Sequence, residues 1–320
     1  MSEPVETATE DLKSLVVPVL PEDTMSEAAR KALLKDYIRM LDSEEGSRTG
    51  GSAKPVHNMR VATRRMRTTL QLLSDYFKTK TITPFEESLK TVARALGDVR
   101  DIDVMIEHLE TFRATLPEED QTLLEKPISI LSERRDKGRK KLNAALDKKD
   151  YAHFVANFGD FVTNPGSGAR SLPVGDGVAT QARYLLPVAA YEHLAIIRAY
   201  DAVLNDASDE TLHQLRIEFK RLRYLLTIFE EILGKAGKDF IDEIKVVQDH
   251  LGGLQDTVVA QTQLRELLPK LGETEATVLE LYINAQTSEH ANLRATFPDV
   301  WRRFNTRTVQ RQLASAIAGL

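Results

Sequence analysis

Residues 56–77 read VHNMRVATRRMRTTLQLLSDYF, and residues 212–229 read LHQLRIEFKRLRYLLTIF. Aligned on their histidines, the two stretches set His57, Arg60, Arg64, Arg65 and Arg67 against His213, Arg216, Lys220, Arg221 and Arg223. A helix turns about 100° per residue, so in each stretch the histidine and the cations three, seven and ten residues after it fall within an arc of roughly 80°. Arg65 and Arg221 flank that stripe. Met59, Met66, Leu70, Leu73 and Phe77 project from the opposite side, as do Leu215, Leu222, Leu226 and Phe229 in the second stretch. Each segment therefore reads as a helix with an apolar back and a cationic front.

A row of arginines is ordinarily a solvated face. Such faces mix signs to gain i,i+4 pairs, whereas no acid occurs between Gly46 and Ser74, and Glu218 points away from the second stripe. Like charges at three- and four-residue spacing repel, so a face built this way twice calls for a neutralising anion. His57 alone reads as a structural hydrogen-bonding residue; the recurrence of His213 at the same phase indicates a shared role.

The chain has 320 residues, enough for a large core or two ordinary domains. Its formal net charge is −5, so the basic stripes stand against acidic surface elsewhere and the relevant field is local. It has no cysteine, which excludes disulfides, thiolate metal sites and cysteine nucleophiles. No apolar run reaches spanning length, and the acidic start MSEPVETATEDLKSL lacks the pattern of a secretory signal, so a cytoplasmic location is expected.

Residues 1–24 carry Pro4, Pro18 and Pro21 without a period and read as a flexible lead-in. A helix is expected from Ser26, its cap, with Leu33, Leu34, Tyr37 and Leu41 inward. After the first basic helix, Pro84 suits the opening turn of a long helix bent near Gly97, and residues 118–147 suggest a charge-dense helix. The Gly- and Pro-rich residues 163–177 read as a linker between one repeat at about 25–162 and another at 178–320, with a second long helix from about Lys238. LGDVRD at 96–101 returns as LGGLQD at 251–256, an offset of 155, while the basic helices are offset by 156. No stretch alternates like a strand. The expected fold is all-α, two tandem helical bundles.

The HxxRxxxRRxR helix, its second copy HxxRxxxKRxRY and the LGxxRD/LGxxQD turns resemble the CHAD family, the conserved histidine α-helical domain, from about Ser26 to Leu313. The resemblance implies a stand-alone CHAD domain over residues 25–320, with pseudo-twofold symmetry around a basic central channel that binds inorganic polyphosphate and performs no catalysis. It implies that His57, Arg60, Arg64, Arg65 and Arg67, with His213, Arg216, Lys220, Arg221, Arg223 and Tyr224, hold the anion. Association with polyphosphate granules in the cytoplasm would follow. Thr68 stands opposite Tyr224, and Gln255 opposite Arg100.

The residue types suit that ligand. Guanidinium forks match phosphate oxygens, and stripes spanning about 15 Å of helix can track successive phosphates. Aromatics make up 6% of the chain and only Tyr224 lies on a basic face, which argues against a single-strand nucleic-acid groove. Asp101 and Asp256 are expected to orient arginines of the basic helices. Asp98, Asp101 and Asp103 resemble a hard-metal cluster, but the second repeat keeps only Asp256, so neither metal nor cofactor is expected. Arg134, Arg135, Arg139 and Lys140 suit either solvent or the rim of the site. Two rivals remain: a phosphoryl-processing enzyme using His57 or His213, which would ordinarily need converging carboxylates and a metal, and a nucleic-acid backbone binder.

Overall fold

The two basic stretches form helices because each carries apolar residues at matched helical spacing. In the first helix, Ala53–Leu72, the buried positions include Val56, Met59, Thr63, Met66 and Leu70; in the second, Asp209–Ile228, they include Leu212, Leu215, Phe219, Leu222 and Leu226. Every member of the second set lies 156 residues after its counterpart. Seating this stripe in the core turns the cations on the other side outward.

The structure, a computed structural model, describes residues 10–171 and 180–320. Its principal helices are α1 (Met25–Thr49), α2 (Ala53–Leu72), α3 (Thr79–Arg113), α4 (Glu125–Leu146) and α5 (Lys149–Thr163), then α6 (Ala182–Ala199), α7 (Asp209–Ile228), α8 (Glu230–Arg265), α9 (Glu273–Phe304) and α10 (Arg307–Ala318). The fold is all-α. Among the described residues, extended pairing is limited to the isolated bridges Thr24–Gln181 and Phe77–Ala169. The order of elements repeats: in each half a basic helix packs on the helix before it and on the long helix after it. The last helices depart from this pattern, since α5 lies against α1 and α3 whereas α10 lies against α8 and α9.

Several boundaries differ from the sequence reading. Thr24, not Ser26, caps α1, its hydroxyl accepting from the Glu27 amide at 3.2 Å. Pro84 sits inside α3, which begins at Thr79, and the helix continues through Gly97. The helix expected over residues 118–147 is divided by a 3-10 turn at Thr122–Leu124. The second long helix starts at Glu230, well before Lys238, and its interruption lies at Gly234. The end of the expected lead-in is packed: Val19 is buried, its amide donates to Glu231 at 2.7 Å, and Lys31 donates to the Pro18 carbonyl at 3.0 Å. Residues 1–9 and 172–179, which take in parts of the expected lead-in and linker, lie outside the described residues. The earlier part of that linker is tied down by Lys78 N–H to Gly168 O at 2.8 Å and Arg170 N–H to Tyr76 O at 2.9 Å.

Two apolar clusters flank the polar centre of the long helices. The larger draws on both halves and includes Leu96 and Val99 of α3 with Leu251 and Leu254 of α8. The smaller joins Met105 and Leu109 of α3 to Leu264 of α8 and to Leu279 and Ile283 of α9. Between these clusters the long helices carry Arg100–Asp101 and Gln255–Asp256. That is where the basic helices meet them.

Candidate anion site

Helices α2 and α7 lie against one another, and their cations are close enough to perturb each other. Lys220 feels Arg216 and Arg223 from its own helix and Arg64 and Arg60 from α2. Desolvation, followed by this surrounding positive charge, pushes its pKa down to about 7. Arg216 is likewise lowered, by desolvation first and then by Arg64 and Arg223, with Asp256 opposing. The Nε–H groups of Arg64 and Arg223 are buried and have no acceptor among the described residues. Unpaired buried donors of this kind are uncommon in a folded protein; one comes from each basic helix, and Arg139 of α4 and Arg183 of α6 carry others.

The long helices approach this cluster through glycine. A β-carbon placed on Gly97 would lie 3.9 Å from Arg60 Nε, and one on Gly252 would lie 3.9 Å from both Nε and Nη2 of Arg216. One turn further on stand the acids. Arg60 Nη2 donates to Asp101 at 3.3 Å, and the strongest charge acting on Asp256 is that of Arg216. Asp256 still meets solvent, yet its pKa is raised by desolvation, with Arg216, His108 and Lys220 pulling the other way and Asp101 adding to the rise. The LGxxRD and LGxxQD turns thus place a small residue under each arginine and a carboxylate beside it.

The histidines occupy different surroundings. His57 is exposed, and its pKa is lowered by partial desolvation and by Arg100, Arg64 and Arg60. His213 is partly buried and donates from Nδ1 to Gln255 Oε1 at 2.7 Å. Arg67 lies near Glu86 of α3, and its charge lowers the Glu86 pKa against a larger rise caused by desolvation. The flanking residues leave the stripe: Arg65 turns to Asp36 at 3.7 Å, and Arg221 to Glu218 at 2.6 Å. Tyr224, expected on the basic face, is buried, with the Arg223 guanidinium 5.1 Å from its ring centroid.

Three features escaped the sequence reading. Arg100 stands near His57 where α3 passes α2, and His108 near Asp256 where α3 comes close to α8; neither residue belongs to the repeated helix motif. The glycines of the LG turns were visible as letters, but their role needs the neighbouring helix. Two cations of α4 pair elsewhere: Arg134 is 3.8 Å from Glu266, and Arg135 is 3.9 Å from Asp103. Among the described residues, no group of three or more acidic or histidine side chains is placed to hold a metal ion, and no helix is long and apolar enough to cross a membrane.

Comparison with known proteins follows the same lines. A solved CHAD domain from the plant Ricinus communis superposes with a TM-score of 0.63 at 20% identity, covering 95% of each chain. PptA from Streptomyces chartreusis gives a TM-score of 0.64 at 15% identity, covering 88% of this chain and 100% of its own. Uncharacterized protein MT2285 of Mycobacterium tuberculosis is 28% identical over 247 residues, 75% of this chain and 44% of that relative. The same figures hold for uncharacterized protein Rv2226 from another strain, so the match spans under half the length of these curated relatives. The CHAD domain family model matches residues 31–265, including both basic helices and both glycine turns, and the chain belongs to the CHAD domain family.

Proposed function

We propose that this chain binds inorganic polyphosphate, without transforming it, along the cations contributed by α2 and α7. The observation that carries this reading is the Lys220 cluster. Arg60, Arg64, Arg216 and Arg223 surround a lysine whose charged form is disfavoured, and two guanidinium donors remain unpaired. A polyanion supplies both missing elements, negative charge and acceptor oxygens, in one ligand. Asp101 accepts from Arg60, and Asp256 feels the charge of Arg216 most strongly, which fits carboxylates that orient guanidinium groups toward an anion.

The test is titration with long-chain polyphosphate, RNA and DNA, with and without Mg²⁺, recording affinity and chain length together. Neutralising about six to eight phosphates would give a log–log salt slope of about −4 to −6 at roughly 0.7 per contact. Polyphosphate should bind with that slope and stay intact. Mg²⁺-dependent shortening would overturn the non-catalytic reading, a slope near −1 would remove the stripes from the site, and equal or tighter RNA binding would favour a nucleic-acid ligand.

A further inference from the structure

Helix α6 has two apolar faces. Leu186, Ala190, Leu194 and Ile197 are buried in the core, while Tyr184, Val188, Tyr191 and Ala195 face solvent on the opposite side. Tyr184 is 58% exposed and Val188 65%. A helix that is apolar all round is ordinarily buried all round. Across its 18 residues only Arg183, Glu192 and Arg198 carry a formal charge, whereas α1, which likewise precedes a basic helix, is charged along its whole length.

The exposed apolar surface continues beyond this helix. The Pro21 carbonyl accepts from the Arg183 amide at 3.1 Å and the Asp23 carbonyl from the Ala182 amide at 2.7 Å, which ties the chain before α1 to the first turn of α6. That chain carries Leu15, Val17 and Leu20, each close to half exposed. Outside residues 15–20 and 184–203, the described chain exposes only two large apolar side chains, Val246 and Leu281. Apolar residues scattered singly over a surface are ordinary, but a concentration of them marks a contact face.

The stripe on α6 is spaced to pair with another helix. The steps of four, three and four residues from Tyr184 to Ala195 are those of a coiled-coil seam. Such a seam is self-complementary about a two-fold axis. With the helices antiparallel and the axis at Val188, that residue meets its own copy. Each Tyr184 then stands level with Glu192 of the second copy, since the two lie four residues on either side of the axis. Glu192 is exposed beside the stripe and can accept from that phenol, so the register satisfies the acid at the rim as well as the apolar centre.

We propose that α6, with the apolar run before α1, is the surface on which two copies of this chain pair about a two-fold axis at Val188. Side chains of this size and exposure present on the order of 600 Å² per copy, the upper end for the largest patch on an ordinary monomer. Two such faces would bury about 1,200 Å², where specific interfaces begin. None of the residues assigned to polyphosphate lies on this surface, so the inference is independent of that reading.

The chain has no cysteine, which makes the axis directly testable. Under mild oxidation Val188→Cys should give a disulfide-linked dimer, because a residue at the axis meets its own copy, and Leu281→Cys, also exposed but on α9, should stay monomeric. Analytical ultracentrifugation of the unmodified full chain should show a reversible dimer. Val188→Asp should weaken that dimer at least tenfold and Tyr184→Phe severalfold, with helical content by circular dichroism unchanged, while Leu281→Asp should leave it intact. A chain that is monomeric at every concentration, a dimer indifferent to Val188→Asp, or equal crosslinking of the two cysteine variants would overturn the proposal. So would a monomer that floats with phosphatidylcholine vesicles and loses them on Val188→Asp, which would give this face to a lipid surface instead.

Discussion

Lys220 shows how the same residue type acquires a different property from its neighbours. In free peptides a lysine stays charged far above neutrality; here desolvation and four guanidinium groups bring its pKa down to about 7. A bound polyanion would restore the charged form, so binding should take up protons near neutral pH. Polyphosphate affinity should fall as pH rises from 6 to 8, with His57, whose pKa is also lowered, adding to the decline at the acidic end. Calorimetry in buffers of different ionisation enthalpy measures the uptake, and Lys220→Met should abolish most of it. The stability sign runs the other way. The unfolded chain binds the Lys220 proton more readily, so this residue destabilises the fold increasingly as pH falls from about 10 to about 7, and Lys220→Met should raise the melting temperature at pH 7. Arg221 and Arg223, two residues apart, should also separate. Arg221 already has Glu218, whereas the Arg223 Nε is buried without an acceptor, so Arg223→Ala should weaken polyphosphate about tenfold and Arg221→Ala less than about threefold.

Among the elements, the long helices α3 and α8 set the geometry. Each passes a glycine beneath an arginine of the basic helix and, a turn later, presents a carboxylate near it. Helix interiors disfavour glycine by about 0.5–1 kcal/mol relative to alanine. At Gly97 an added β-carbon meets only Arg60 Nε, at the ordinary contact distance of 3.9 Å. Gly97→Ala should therefore stabilise the protein by about that amount in urea unfolding and leave polyphosphate affinity within twofold. Gly252→Leu carries three further carbons toward the Arg216 guanidinium, whose Nε and Nη2 already lie 3.9 Å from a β-carbon placed there. It should weaken binding by tenfold or more, an effect that Gly252→Ala should not share.

For the molecule as a whole, the two halves are coupled twice. The larger apolar cluster includes residues from both, and the smaller one ties the far ends of α3 and α8 through Met105, Leu109 and Leu264. The cationic cluster between α2 and α7 is built on that frame. If both halves serve one polyanion, Arg60→Glu/Arg64→Glu and Arg216→Glu/Lys220→Glu should weaken polyphosphate to a similar degree, each by about a hundredfold or more, with a cooperative melt retained. Arg134→Glu/Arg139→Glu on α4 should matter far less. One stripe variant binding like the unmodified protein would mean that a single half carries the function.

The sequence by itself determined the all-α class, the basic helices and the apolar face of each. These are local or periodic properties: side chains at helical spacing share a face whatever surrounds them, which is why Met59, Met66, Leu215 and Leu222 are buried as expected. The repeat pointed to Asp101 and Asp256 as neighbours of arginines on the basic helices without saying which; in the structure Asp101 accepts from Arg60 at 3.3 Å. Tertiary structure alone brought Arg65 to Asp36 of α1, whereas the pairing of Arg221 with Glu218 is an i,i+3 contact within α7 itself. The lowered pKa of Lys220 and the nearness of Arg100 to His57 and of His108 to Asp256 likewise depend on charges brought together from distant positions. Coulombic and desolvation effects act through space, and no spacing along one helix encodes them.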